Sequence, residues 1–210
     1  MIDFNLYLIT DRHQTKGRSL EMVLEEALKG GVRAIQLREK DLSSRQLYQT
    51  GLLFRGLTKK YKAQLYINDR FDIALAVRAD GVHLGVRSIP VAVVRSVVGN
   101  RLCIGVSTHN MEEALEAVKG GTDFITFGPV YETPSKKKYG PPVGLDELRT
   151  VSQTVDIPVF GLGGIDSSHE KIHAVKSAGA HGVSMISAII GAPDVQESTE
   201  KILKALESEL

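Results

Sequence analysis

The sequence predicts an α/β protein, a single (β/α)8 barrel domain spanning residues 1–210. Three observations predict it. Short apolar runs alternate with amphipathic stretches, the pattern of parallel strands joined by helices. The alternation repeats eight times at roughly 25-residue spacing, which leaves no room for a second domain. No Gly-x-Gly-x-x-Gly follows the first strand, where the chain reads Thr10-Asp-Arg-His-Gln14. That absence counts against the runner-up, an open doubly wound sheet.

The elements follow in order. The first strand is Asn5 to Thr10, and Ser19 caps a helix carrying Leu20, Val23, Leu24, Ala27 and Leu28 at helical spacing. Gly30-Gly31 stops it. The second strand, Arg33 to Leu37, runs into Arg38-Glu39-Lys40-Asp41. Ser43 or Ser44 caps the next helix, with Leu47, Leu52, Leu53 and Leu57 as its apolar positions. Gln64 to Ile67 is the third strand, followed by Asn68-Asp69-Arg70 and a short helix, Phe71 to Val77. Gly81 to Leu84 is the fourth, and Pro90 opens the helix after it. Leu102 to Val106 is the fifth, ending at Ser107-Thr108-His109. Asn110 caps a helix with Ala114, Leu115, Ala117 and Val118 on one side. The sixth strand starts at Phe124 and breaks at Gly128-Pro129; its helix spans Leu145 to Thr154. Pro158 to Leu162 is the seventh, with a helix from Ser168 to Ser177. Gly182 to Ile186 is the eighth, followed by a short turn at Ser187 and a final helix, Val195 to Leu206.

Net charge is +1. No global field draws the chain to nucleic acid or to a membrane, so any anion site must be local. Cys103 is the only cysteine. It sits in an apolar run, reads as packing, and allows neither an internal disulfide nor a cysteine cluster for zinc. Neither a signal peptide nor a transmembrane stretch is apparent, and the expected location is the cytoplasm. The expected partners are small phosphorylated molecules. A homo-oligomer built through the outer helices is left open.

In a barrel, the loops after the strands converge on the C-terminal mouth, where barrel enzymes place their chemistry. Here those loops carry Arg38, Lys40, Asn68, Asp69, Ser107, His109, Thr133, Ser135, Lys136, Gly163, Gly164 and Ser187. The loop after the sixth strand holds hydroxyls and three consecutive lysines, Lys136 to Lys138. Hydroxyls and backbone N–H groups supply directional donors for an anion, and lysine supplies charge. A solvated basic loop is the plainer alternative. Gly163-Gly164 lets a backbone approach an anion closely, or is merely a tight turn. A short helix at Ser187 would aim free N–H groups at the same spot, and barrels often build a phosphate site there. Arg38, Lys40 and Lys136 near Asn68 and Asp69 suggest a second, larger anion. Asp69 would either pair with a cation or hold a divalent metal bridging to a polyphosphate. His83 alternates with Val82 and Leu84 and reads as a satisfied structural histidine. His109 is open to either reading.

Seven motifs then carry a resemblance. They are Gln36-Leu-Arg-Glu-Lys40, Asn68-Asp-Arg70, Ala79-Asp-Gly-Val-His-Leu-Gly85, Gly105-Val-Ser107, Phe127-Gly-Pro-Val-Tyr-Glu-Thr-Pro-Ser-Lys136, Gly161-Leu-Gly-Gly-Ile165 and Val183-Ser-Met-Ile-Ser-Ala188. In order, and over nearly the whole chain, they closely resemble the thiamin phosphate synthase superfamily. The resemblance implies a (β/α)8 barrel that joins a hydroxymethylpyrimidine diphosphate to a hydroxyethylthiazole phosphate with magnesium. It implies a dissociative mechanism: diphosphate leaves, and the thiazole nitrogen captures a pyrimidine methyl cation. By resemblance, Gln36, Leu37, Arg38, Glu39, Lys40, Asn68, Ser107 and Lys136 would hold the pyrimidine diphosphate. Thr133, Pro134, Ser135, Gly164, Ile186 and Ser187 would hold the thiazole phosphate. Arg38, Lys40 and Lys136 would stabilise charge growing on the leaving group, and Asp69 would be a magnesium ligand.

One segment departs from the family pattern. The family usually follows the fourth strand with Gly-Gln-x-Asp, whose aspartate is the second metal ligand; this chain has Gly85-Val86-Arg87-Ser88. Three explanations compete. Asp69 and substrate oxygens suffice for the metal; Arg87 supplies part of the missing charge; or the chain is an isomerase of the related thiazole tautomerase branch, which lacks the metal site. Pro129 and the intact Asn68-Asp-Arg70 favour the synthase, and Ser88 counts against it. A non-catalytic paralogue that binds thiazole or thiamin phosphate is the third class.

Overall fold

A computed structural model describes residues 2–133 and 141–208. Eight strands form a closed barrel in sequence order. They are β1 (Leu6–Ile9), β2 (Ala34–Leu37), β3 (Gln64–Asn68), β4 (Gly81–Leu84), β5 (Cys103–Thr108), β6 (Phe124–Phe127), β7 (Val159–Leu162) and β8 (Gly182–Met185). Every neighbouring pair is parallel, and β1 closes the barrel on β8 through Tyr7 opposite Ser184. Between and after the strands run α1 (Leu20–Lys29), α2 (Ser44–Lys60), α3 (Phe71–Ala76), α4 (Val91–Val98), α5 (Met111–Lys119), α6 (Gly144–Thr154), α7 (His169–Ser177), the short α8 (Ser187–Ile190) and α9 (Val195–Glu207).

The helix starts follow from local chemistry. Ser19, Asn110 and Asp194 accept from the backbone N–H groups of Met22, Glu113 and Glu197, satisfying donors the first turn leaves free. Ser43 and Gln46 form a reciprocal capping box at the start of α2.

Strand alternation divides the core in two. Leu8, Ile35, Ile67, Val82, Ile104, Ile125 and Val183 face outward against the helices. Phe4, Tyr7, Tyr66, Phe124 and Phe160 fill the barrel interior. Their rings meet edge-on, stacked or tilted at centroid distances from 5.2 Å (Phe4–Phe160) to 6.2 Å (Tyr7–Phe160), the edge-on and stacked pairs each adding about 0.5–1.5 kcal/mol beyond burial. The plug is possible because the facing residues are small. A Cβ on Gly105 would lie 2.6 Å from His83 Nδ1 and within reach of the Phe124 ring.

Two helix faces differ from the sequence expectation. On α2 the buried residues are Leu47, Gly51, Phe54 and Thr58, whereas Leu52 and Leu53 are 45% and 47% exposed. The inward stripe follows the three–four spacing from Leu47 through a glycine, and Gly51 allows close approach to Val77. On α5, Ala114 and Ala117 turn inward and Leu115 outward.

Candidate active site at the barrel mouth

The loop after β2 is braced against the loop after β1. Thr10 Oγ1 accepts from the Arg38 backbone N–H at 2.9 Å and donates to Glu39 Oε1 at 2.6 Å. The Arg12 backbone N–H reaches both Glu39 oxygens at 3.2 Å, and the Arg12 guanidinium adds a bond at 3.1 Å. Glu39 is therefore a buried brace whose carboxylate is filled from within the protein. Arg12 also grips Asp41 with both terminal nitrogens, and this, with His13 adding to it, holds the Asp41 carboxyl down to about 2. Arg38, Glu39, Lys40, Asp11, His13 and Asp41 line a cleft of about 350 Å³. The sequence reasoning overlooked Arg12 and Asp41; their opposite charges in successive mouth loops were the available signal. Gln36 points into the barrel and is 1% exposed, while Leu37 packs into the outer core, so only its backbone can face the mouth.

Asn68 ends β3 opposite His83. Asp69 follows at φ +67°, its N–H bonded to the His83 carbonyl at 2.8 Å. Its side chain is exposed, and among the described residues nothing hydrogen-bonds its carboxylate. Arg70 is directed away, onto Asp72 and Ser44. After β4, Ser88 Oγ accepts from the Gly85 N–H at 2.8 Å, so this hydroxyl pins its own turn; Arg87 is exposed beside it. Among the described residues no three His, Cys, Asp or Glu side chains gather as a metal cage. Asp69 alone still fits magnesium, which is often held by one or two carboxylates with substrate oxygens completing its shell.

Inside the mouth, Ser107 faces His83 Nε2 at 3.0 Å and receives Thr126 Oγ1 at 3.4 Å. His83 is 2% exposed; burial, with the Arg38 charge adding to it, lowers its pKa to about 3, so it is neutral at physiological pH. Both His83 ring nitrogens have partners, Tyr7 Oη and Ser107 Oγ, so it is a satisfied buried histidine whose partners lie in the mouth. His109 pairs with Glu113 at 3.0 Å.

The loops after β6, β7 and β8 form the other half of the rim. A cis Gly128–Pro129 bond turns the chain, and the N–H groups of Val130 and Tyr131 bond the carbonyls of Leu162 and Gly163 at 2.8 and 3.0 Å. Gly164 has φ +68°, and a Cβ there would lie 2.6 Å from Tyr131 Cβ and 2.8 Å from the Glu132 carbonyl oxygen. The glycine is thus required by loop packing, whatever else it binds. Lys171 Nζ fixes this corner, bonding the Gly164 carbonyl at 3.0 Å and lying 5.1 Å from the Tyr131 ring centroid. Ile186 and Ser187 open α8. Among the described residues, none accepts a hydrogen bond from the backbone N–H of Gly164, Ser187 or Ala188. Thr133 closes the described part of the β6 loop; Pro134, Ser135 and Lys136 lie outside the described residues.

Fold and rim together define a (β/α)8-barrel enzyme whose mouth carries Arg38 and Lys40 among carboxylates on one side and backbone amides on the other. The chain belongs to the thiamine monophosphate synthase family, whose model matches residues 6–189. It is 54% identical over 205 residues to a relative from Geobacter sulfurreducens that carries the thiamine-phosphate synthase name provisionally, covering 98% of this chain and 95% of that protein. It is 43% identical to the thiamine-phosphate synthase of Chloroflexus aurantiacus over 99% of this chain and 94% of that one. The solved thiamine phosphate pyrophosphorylase of Pyrococcus furiosus superposes with a TM-score of 0.88 at 39% identity, covering 97% of this chain and 95% of that one.

Proposed function

We propose that this chain joins 4-amino-2-methyl-5-hydroxymethylpyrimidine diphosphate to hydroxyethylthiazole phosphate, giving thiamin phosphate and diphosphate. One observation carries this reading within the family: a single rim presents two separate sets of anion donors. Arg38 and Lys40 flank one cleft. Gly164 and the start of α8 supply amides for a smaller phosphate.

The pyrimidine diphosphate lies along the β2 loop, held by Gln36, Arg38, Lys40, Asn68 and Ser107; by resemblance to the family Lys136, which lies outside the described residues, would add its charge. The thiazole phosphate lies against Thr133, Gly164, Ile186 and Ser187; by resemblance to the family Pro134 and Ser135, which lie outside the described residues, would join them. The bond between the pyrimidine methylene carbon and the diphosphate oxygen breaks, and its electron pair leaves with diphosphate. The thiazole nitrogen lone pair then forms the new C–N bond. No proton needs to move for this exchange, so the chain needs no nucleophile or general base. It needs cations where charge grows and two substrates held in line. Asp69 would hold magnesium, which supplies further positive charge to the diphosphate when bound. Arg87, beside Ser88, supplies part of the charge that a second carboxylate-bound metal contact would secure. The expected location is the cytoplasm, and among the described residues no helix is long and apolar enough to cross a membrane.

Purified protein given both substrates with magnesium should form thiamin phosphate and diphosphate in equal amounts. Ser88 keeps one other reading in view, the thiazole tautomerase-type isomerase, and interconversion of thiazole isomers without coupling would select it.

A further inference from the structure

A chain of polar side chains crosses the barrel just above its aromatic plug. Gln36 Nε2 donates to Tyr7 Oη at 3.3 Å, and Tyr7 Oη lies 3.4 Å from His83 Nδ1. His83 Nε2 lies 3.0 Å from Ser107 Oγ, and Thr126 Oγ1 donates to Ser107 at 3.4 Å. Its two ends, Gln36 and Thr126, sit on opposite walls of the barrel, on β2 and β6, with Ser107 on β5 between His83 and Thr126. A neutral imidazole in the middle has one donor and one acceptor, so it must pass a hydrogen-bond direction from one wall to the other.

We infer that His83 is a positioning residue that, protonated on Nε2 and bare on Nδ1, makes Ser107 a hydrogen-bond donor toward the bound pyrimidine diphosphate. The direction follows from its neighbours. Tyr7 Oη accepts from Gln36, which leaves its own proton for His83 Nδ1. The imidazole then carries its proton on Nε2 and donates to Ser107. With Thr126 also donating, the Ser107 oxygen is filled from inside the barrel, and its O–H turns toward the mouth. A donor is what an anion beside Arg38 calls for. The opposite tautomer would turn the Ser107 proton inward and aim lone pairs at the anion. Gly105 serves the same arrangement, since a side chain there would collide with His83 Nδ1. This inference rests on the reading that the pyrimidine diphosphate binds beside Ser107, and it deepens that reading.

The test has two arms. In the full-length protein labelled with ¹⁵N-histidine, NMR at neutral pH should show the His83 tautomer with Nε2 protonated; an Nδ1-protonated ring would overturn the inference. In the second arm, calorimetry measures binding of the pyrimidine diphosphate, which needs no turnover. His83→Leu should weaken binding about tenfold, the size expected when a charge-assisted hydrogen bond is lost, and leave thiazole phosphate binding unchanged. Ser107→Ala should do the same, and the double variant should be no weaker than either single one. His83→Gln, whose amide can still donate to Ser107, should restore most of the affinity. Additive losses, or equal losses for both ligands, would show His83 acting only as packing and overturn the inference. Absence of synthase turnover in the unaltered protein would overturn the functional reading while both arms still run.

Discussion

Thr10 and Glu39 share a buried hydrogen bond of 2.6 Å, and the same Thr10 hydroxyl accepts from the Arg38 backbone at 2.9 Å. One hydroxyl thus ties the end of β1 to the Arg38 backbone and the Glu39 carboxylate of the second mouth loop. Its consequence is that Glu39 acts, through Thr10 and the Arg38 backbone, on the cleft proposed to take the diphosphate. Glu39→Ala should cost about 2–3 kcal/mol of stability, because the Thr10 hydroxyl and the Arg12 N–H lose a charged acceptor. It should also raise KM for the pyrimidine diphosphate more than KM for the thiazole phosphate. Denaturant unfolding and steady-state kinetics check both; unchanged stability, or equal rises in the two KM values, would contradict the bracing role.

Gly164 allows a complementary prediction. Gly164→Ala places a Cβ against Tyr131 and Glu132 at a positive φ, and such strain costs about 1–3 kcal/mol. The corner formed by Tyr131, Gly163 and Lys171 should shift, raising KM for the thiazole phosphate and sparing the pyrimidine diphosphate. Equal effects on the two substrates would place the glycine outside the thiazole half of the rim.

Arg87 is the third test. It stands exposed beside Ser88, whose hydroxyl is committed to the Gly85 amide. Arg87→Ala should lower kcat about tenfold or more, since a cation near a leaving diphosphate acts on developing charge. Ser88→Asp should make turnover more dependent on magnesium. An unchanged rate in Arg87→Ala removes Arg87 from the chemistry.

The fourth concerns acid stability. Burial, with Arg38 nearby, lowers the His83 pKa from 6.5 to about 3 in the folded protein. Between those values the unfolded chain binds the extra proton, so folding stability rises with pH. Lowering the pH from 6.5 toward 3 should therefore destabilise the protein through this residue, by at most about 1.4 kcal/mol per pH unit. His83→Gln should flatten that part of the pH–stability curve relative to the unaltered protein. Parallel curves for the two would contradict the burial argument.

The barrel was legible because its signal is local: each strand is a short apolar run, and each helix start carries its own cap, as at Ser19 and Asn110. The mouth loops were legible as positions, since every strand end points the same way. What the side chains do there was less so. Leu52 and Leu53 looked like core on hydrophobicity alone, but helical phase turned them outward in favour of Gly51 and Phe54. Arg12 and Asp41 are 29 positions apart, and only closure of the barrel brings them together. Glu39 was grouped with the ligand-binding residues of its motif, whereas its hydrogen bonds run to β1 and the loop beyond it. Gly164 carried a phosphate reading from sequence, and its contact with Tyr131 shows a structural need as well.

The most direct measurement is a product assay on the purified chain with both substrates, run with and without magnesium. The barrel and its two-sided rim predict thiamin phosphate and diphosphate appearing in step, faster with the metal present. Thiazole isomerisation alone, or tight binding of either phosphate with no coupled product, would contradict it.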